Sequence, residues 1–114
     1  MTDLNTILEY LATELLGWER DRFPAFNDGS WSKPKNHFTQ LSNQELYLHL
    51  LTGNGMLEVV EAMRDRGFLV SCTSLLKEDG GWTVFIVSDE NDWDGYADTL
   101  PEAVCRAAYE ALHD

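Results

Sequence analysis

The switch in apolar spacing at Gly67 constrains the fold more than any other feature of the sequence. Before it, Met56, Val59, Val60 and Met63 recur at intervals of three and four, one face of a helix over Met56 to Arg66, with Gly67 placed to cap its end. After it, "FLVSCTSLL" and "GWTVFIVS" are rich in β-branched and aromatic residues and follow a period of two. The "KEDGG" between them is turn chemistry, so the two runs read as an antiparallel hairpin. A helix that feeds directly into a hairpin specifies an α+β chain.

The flanking segments fill in the plan. From Asp3 to Gly17, the residues Leu4, Ile7, Leu8, Leu11, Leu15 and Leu16 mark the apolar face of a first helix, with Thr2 or Asp3 to cap it and Gly17 to end it. Next comes "WERDRFPAFNDGSWSKPKNHFTQ", which has no period and reads as a long, aromatic-rich loop, its Trp18, Phe23, Phe26 and Trp31 packing partly back onto the core. Ser42 and Glu45 form a capping-box pattern that starts a short helix over "QELYLHLL", and "TGNG" then breaks the chain. A third short strand is expected at Tyr96 to Asp98. Thr99, Pro101 and Glu102 open the last helix, again as a capping box, which runs to about His113.

The predicted architecture is one domain over residues 1–114, a small three-stranded antiparallel sheet flanked by helices in the order α-α-α-β-β-β-α. Its expected core comprises Leu8, Leu11, Leu15, Val59, Val60, Met63, Val70, Cys72, Val84, Ile86, Val104, Cys105 and Ala108. A chain of 114 residues that is 44% hydrophobic can bury such a core but has no room for a second domain. Its apolar runs fall far short of the roughly 20 residues that span a bilayer, and the N-terminus lacks the pattern of a secretion signal, so a soluble, cytoplasmic protein is expected. Two isolated cysteines, Cys72 and Cys105, suggest neither a disulfide framework nor a zinc site.

Charge narrows the function. Twenty acidic residues against eight Lys and Arg give a formal net charge of −12, a field that repels nucleic acid. Between Lys77 and Arg106 there is no basic residue, so the C-terminal third presents a negative face. Its densest part, "DENDWDGYADT", spaces Glu90, Asp92 and Asp94 at alternate positions ahead of Gly95, as a calcium loop of the EF-hand type begins. The twelfth residue of such a loop would be Pro101, which has no ligand to offer, and the segment before it reads as a strand. The stretch is therefore an acidic turn, with no metal or other cofactor assigned. Trp93, an indole among carboxylates, either folds back on the sheet or is offered to a partner.

Other chemistry is sparse. Ser71, Cys72 and Ser74 lie on a strand without a nucleophile elbow, and His37, His49 and His113 have no orienting pattern around them, so no catalytic residue is assigned. "GNG" lacks the strand before it and the Lys-Ser/Thr after it that phosphate-binding loops require. Trp18, Arg20, Arg22, Trp31, Lys33 and Lys35 combine aromatic surface with cationic donors, the pairing that stacks a base and holds a phosphate.

Three stretches carry a family resemblance: "LATELLGW" at 11–18, "MLEVVEAMRDRGF" at 56–68 and "ADTLPEAVCRAAYEAL" at 97–112. Together with the Trp-containing hairpin, they resemble the phage ABA sandwich family of small bacteriophage and prophage proteins, mostly of unassigned function. The segment at about 19–53 stands outside the likeness as an elaboration. The resemblance implies a phage or prophage protein at work in a bacterial cytoplasm. Joined to the charge, it gives as leading expectation a non-enzymatic accessory protein that binds a host protein through Asp89, Glu90, Asp92, Trp93 and Asp94. That host protein could itself be a nucleic-acid-binding one, its basic groove filled by an imitation of DNA. The alternative is a nucleotide-binding or sequestering protein that uses the basic aromatic residues. A free sheet edge also allows pairing of two copies.

Overall fold

In the computed structural model, residues 3–20, 31–33, 36–74 and 80–113 are described. Helix α1 (Leu4–Tyr10) continues as a wider π-helical turn over Leu11–Leu15, in which Leu16 N–H donates to Leu11 O at 3.0 Å. Gly17 then takes φ 74°, the left-handed conformation expected at the end of a helix, and turns the chain so that Trp18 N–H reaches back to Ala12 O at 2.7 Å.

The middle segment departs from the expected loop. It forms a small antiparallel sheet in the order β1 (Glu19–Arg20), β2 (Trp31–Lys33), β3 (Asn36–Leu41). Strands of two and three residues are too short to show a period in sequence. Trp31 and Trp18 are anchored in the core as anticipated, and Trp31 Nε1 donates to Asn43 Oδ1 at 2.7 Å. Phe23 and Phe26 lie outside the described residues.

The capping box of helix α2 (Asn43–Leu50) is present: Glu45 N–H donates to Ser42 Oγ, and the Glu45 carboxylate accepts from Ser42 N–H. "TGNG" does not break the chain as expected. Thr52 caps helix α3 (Gly53–Asp65), which therefore begins three residues earlier than Met56. Gly55 is required there because a Cβ would run into the carbonyl of His49.

Strands β4 (Leu69–Ser74), β5 (Trp82–Val87) and β6 (Asp92–Ala97) form the main sheet, with β5 central and both pairings antiparallel. The hairpin is confirmed in register from Leu69↔Val87 to Ser74↔Trp82. The third strand begins four residues before the expected Tyr96, because Asp92 and Asp94 belong to it rather than to a turn. Helix α4 (Leu100–His113) follows at once, with Ala103 N–H donating to Thr99 O.

Alternation sorts the sheet's residues onto two faces. Val84, Ile86 and Ala97 point inward and are buried beneath α4, whose small Ala103, Ala107, Ala108 and Ala111 allow close approach. At Gly95 a Cβ would come within 2.5 Å of Ala107 N and 2.8 Å of Ala103 O, so only glycine lets the helix sit so low. The helices α1, α2 and α3 pack beyond α4, closing a core that also holds Leu8, Leu11, Leu15, Val59, Met63, Val104 and Cys105. Val60 and Val70 pack at its margin. Cys72 is a correction: it points to the inner side of the sheet but is exposed, since α4 covers β5 and β6 and stops short of edge strand β4.

Candidate functional site

The outer face of the main sheet has no cover among the described residues. Reading across the strands, its rows are Leu69–Val87–Asp92, Ser71–Phe85–Asp94 and Thr73–Thr83–Tyr96. Leu69 is 70% exposed, Tyr96 50%, Phe85 40% and Val87 38%, so the face carries a connected apolar strip rather than scattered single residues. Along one side of that strip stand Asp92 and Asp94, two residues apart on β6 and hence on the same side of the strand, about 7 Å from each other.

The turn between β5 and β6 extends the negative charge. Ser88 organises it: Ser88 N–H donates to Asn91 O at 2.8 Å, and Ser88 Oγ accepts from Asn91 N–H at 3.2 Å and from Glu90 N–H at 3.4 Å. This closure lifts Asp89 and Glu90 into solvent beyond the end of the strands. Among the described residues, none of the carboxylates of Asp89, Glu90, Asp92 and Asp94 takes part in an ion pair. A hollow of about 250 Å³ lies among Phe85, Asp92, Trp93 and Asp94, where apolar and acidic surface meet.

Of the five acidic-face residues expected from sequence, the structure turns four toward the outer side or solvent, while Trp93 borders the hollow from the other side of β6. Its side chain lies on the inner side of β6, half-buried, with its ring edge-on to Phe68 at 5.8 Å between centroids. Trp93 thus anchors the strand that carries Asp92 and Asp94. Sequence reasoning missed Leu69, Phe85, Val87 and Tyr96 as part of the face. The hairpin alternation held the signal, because every second residue of a strand covered on one side must point away from the core.

The basic aromatic set is dispersed differently. Trp18 and Trp31 are buried, with Trp18 beside the His49 ring at 6.0 Å, so neither offers a face for stacking a base. Arg20 lies over the Trp31 ring at 5.4 Å and is paired with Glu9 at 3.5 Å. Lys33 is on β2, while Arg22 and Lys35 lie outside the described residues. Arg20 thus lies against Trp31, and the burial of Trp18 and Trp31 gives no support to a stacking platform.

Neither cysteine thiol is activated. Burial pushes the Cys105 thiol up to about 12, with Glu102 adding to the rise and Arg106 opposing it. Desolvation also raises the thiol of Cys72, the reverse of what a reactive cysteine needs. His49 is held by Glu58 at 3.1 Å, and His113 stacks on Tyr109 at 4.9 Å. Among the described residues, no three His, Cys, Asp or Glu side chains converge to hold a metal ion. No described helix is long and apolar enough to cross a membrane.

Comparison with known proteins agrees with this architecture. The sequence profile of the phage ABA sandwich domain matches residues 9–109. A phage protein from Bacillus cereus ATCC 14579, known from a 2.0 Å crystal structure, superimposes with a TM-score of 0.65 at 18% identity, over 96% of this chain and 91% of that one. At that identity the likeness is one of fold. Among curated proteins, none matches the chain in sequence.

Proposed function

The chain belongs to the phage ABA sandwich family, and we propose that it acts without catalysis, as an accessory protein that binds a host protein through the outer face of its main sheet. One observation carries this reading: Asp92 and Asp94 share with Phe85, Val87 and Tyr96 a face that no other described residue covers. Unpaired carboxylates set beside an apolar strip are the complement of a partner surface that is apolar at its centre and rimmed with Lys or Arg. A basic groove made for nucleic acid is one such surface, and filling it would block the groove's own ligand. The apolar strip adds a requirement that imitation of DNA by charge alone would lack.

The test is capture of partners from bacterial lysate on the wild-type protein and on Asp92→Lys/Asp94→Lys and Phe85→Ser variants, at low and at raised salt. The proposal expects a basic protein retained at low salt, weakened by raised salt and lost with either variant. Retention indifferent to both variants would overturn it. Loss with the lysine variant alone would reduce the interface to charge and remove the apolar half of the proposal.

A further inference from the structure

The two edges of the main sheet differ in a way that bears on self-association. On β6, Asp92 and Asp94 guard one edge, the charged device by which proteins keep sheet edges from pairing. On β4, the six residues Leu69, Val70, Ser71, Cys72, Thr73 and Ser74 contain no charge and no proline. Among the described residues, β4 pairs only with β5, so its other side has no partner strand. Leu69, Ser71, Cys72 and Thr73 are all exposed, and α4 does not reach across to shelter them.

We propose that β4 is a dimerisation edge, on which a second copy of this chain adds its own β4 antiparallel across a two-fold axis to make one continuous six-stranded sheet. The pairing is isologous, so the same six residues satisfy both sides of the seam. Charge favours a second copy on this edge over one on the β6 edge. A chain of net charge −12 can meet itself stably only where its acids are far apart. In the paired sheet the two β6 strands lie at opposite ends, five strand spacings or about 24 Å apart. That is about three Debye lengths at physiological salt, so the acidic edges scarcely repel one another.

The seam also resolves two oddities of the single copy. Leu69, the most exposed large hydrophobic residue among those described, gains a neighbouring strand and extends the apolar strip of one copy toward that of the other. Cys72, inward-pointing yet uncovered, comes beside the equivalent strand of its mate, within reach of the other Cys72. The dimer would present two acidic, partly apolar faces on the same side of one sheet. The proposal does not rest on the host-protein reading, since β4 can pair whether or not the outer face binds a partner.

The experiment is light scattering on the eluting full-length protein across a salt series, with a short bis-maleimide reagent as a cross-linking probe. Twice the 13.0 kDa mass is expected. Dimer should persist as salt is raised, in contrast to the salt-weakened binding expected for the acidic face. Cross-linking should run through Cys72 and vanish in Cys72→Ser, because Cys105 is buried. Ser71→Lys, which places like charges across the seam at an exposed position, should give a monomer whose thermal stability equals that of wild type diluted until it is monomeric. A wild-type monomer at high micromolar concentration would overturn the proposal. So would a dimer that survives Ser71→Lys and resists cross-linking at Cys72, which would place the contact elsewhere, including on the outer face. Monomeric protein that still captures a host strand on β4 would likewise replace the second copy with a foreign one.

Discussion

The inner and outer faces of β5 and β6 are built from alternating residues of the same two strands, yet they have opposite tasks. Inside, Val84, Ile86, Gly95 and Ala97 meet α4 with no space to spare. Outside, Phe85, Val87, Asp94 and Tyr96 meet solvent. Neighbours in sequence should therefore answer to different selections, the inner set to packing and the outer set to whatever the protein binds. The difference teaches that the acidic motif alone is a poor guide to the site. Its indole and its glycine face the packed side, while its carboxylates and Tyr96 are offered outward.

The comparison breaks first where the inner face is emptied. Ile86→Ala removes a fully buried side chain at the sheet centre and should cost about 3–4 kcal/mol, measured by urea unfolding. If the cost were below about 1 kcal/mol, the inner face would not be the close-packed one. Gly95→Ala is the opposite insult, a methyl group forced against the backbone of Ala103 and Ala107, and should cost about 2–3 kcal/mol as α4 is pushed off β6. An exposed glycine in an acidic turn, as the sequence alone suggests, would tolerate alanine.

The two cysteines sharpen the contrast. Cys105 is buried, its sulfur 3.9 Å from Leu50 O, and the raised thiol pKa means that the folded state keeps its proton after the unfolded chain has lost it. The unfolded state then binds fewer protons, so stability is intact below the ordinary value of 9.0 and falls as pH rises from there toward about 12. The slope from this one group is at most about 1.4 kcal/mol per pH unit. Unfolding titrations of wild type and Cys105→Ala across that range should differ by it, the variant being flatter. Cys72 should react with thiol reagents in the folded protein while Cys105 does not.

Much of this plan was legible in the sequence because burial is one-sided and leaves a period. The α1, α2 and α4 spans, the β4–β5 hairpin and the Ser42–Glu45 capping box all rest on local rules that the tertiary structure did not override. Besides the early start of α3, three readings failed for physical reasons. Strands β1 and β2 are too short to display alternation, and β3, Asn-His-Phe-Thr-Gln-Leu, has no apolar period. Strand β6 was hidden because an uncovered face tolerates aspartates, which otherwise signal turns, and because Gly95 serves helix packing where glycine usually marks a bend. Cys72 was placed on the correct side of its strand, but no local pattern reveals how far a helix 30 residues later will extend over a sheet. The candidate site was half visible for the same reason. Its charges stood out in composition, while its apolar residues looked like core until the uncovered face was known.

The smallest expected effect is the most informative about function. Asp94→Asn alters an exposed side chain and should change stability by no more than about 0.5 kcal/mol, while Phe85→Ser, 40% exposed on the central strand, should cost about 1 kcal/mol, well below Ile86→Ala. Asp94→Asn should if anything stabilise slightly, since it removes one of two like charges held about 7 Å apart on β6. A residue that folding needs little, set among neighbours that folding needs badly, is where binding can be tested without confounding the two. If Phe85→Ser instead costs as much as Ile86→Ala in dilute monomeric protein, Phe85 is covered by this chain's own residues and the face is not open. If it costs that much only at concentrations where dimer forms, a second copy covers the outer face, and the edge pairing through β4 is the wrong geometry. If the variant stays well above Ile86→Ala in stability and still loses its partner, the apolar strip belongs to the interface, and the acidic edge supplies the charge that brings the partner to it.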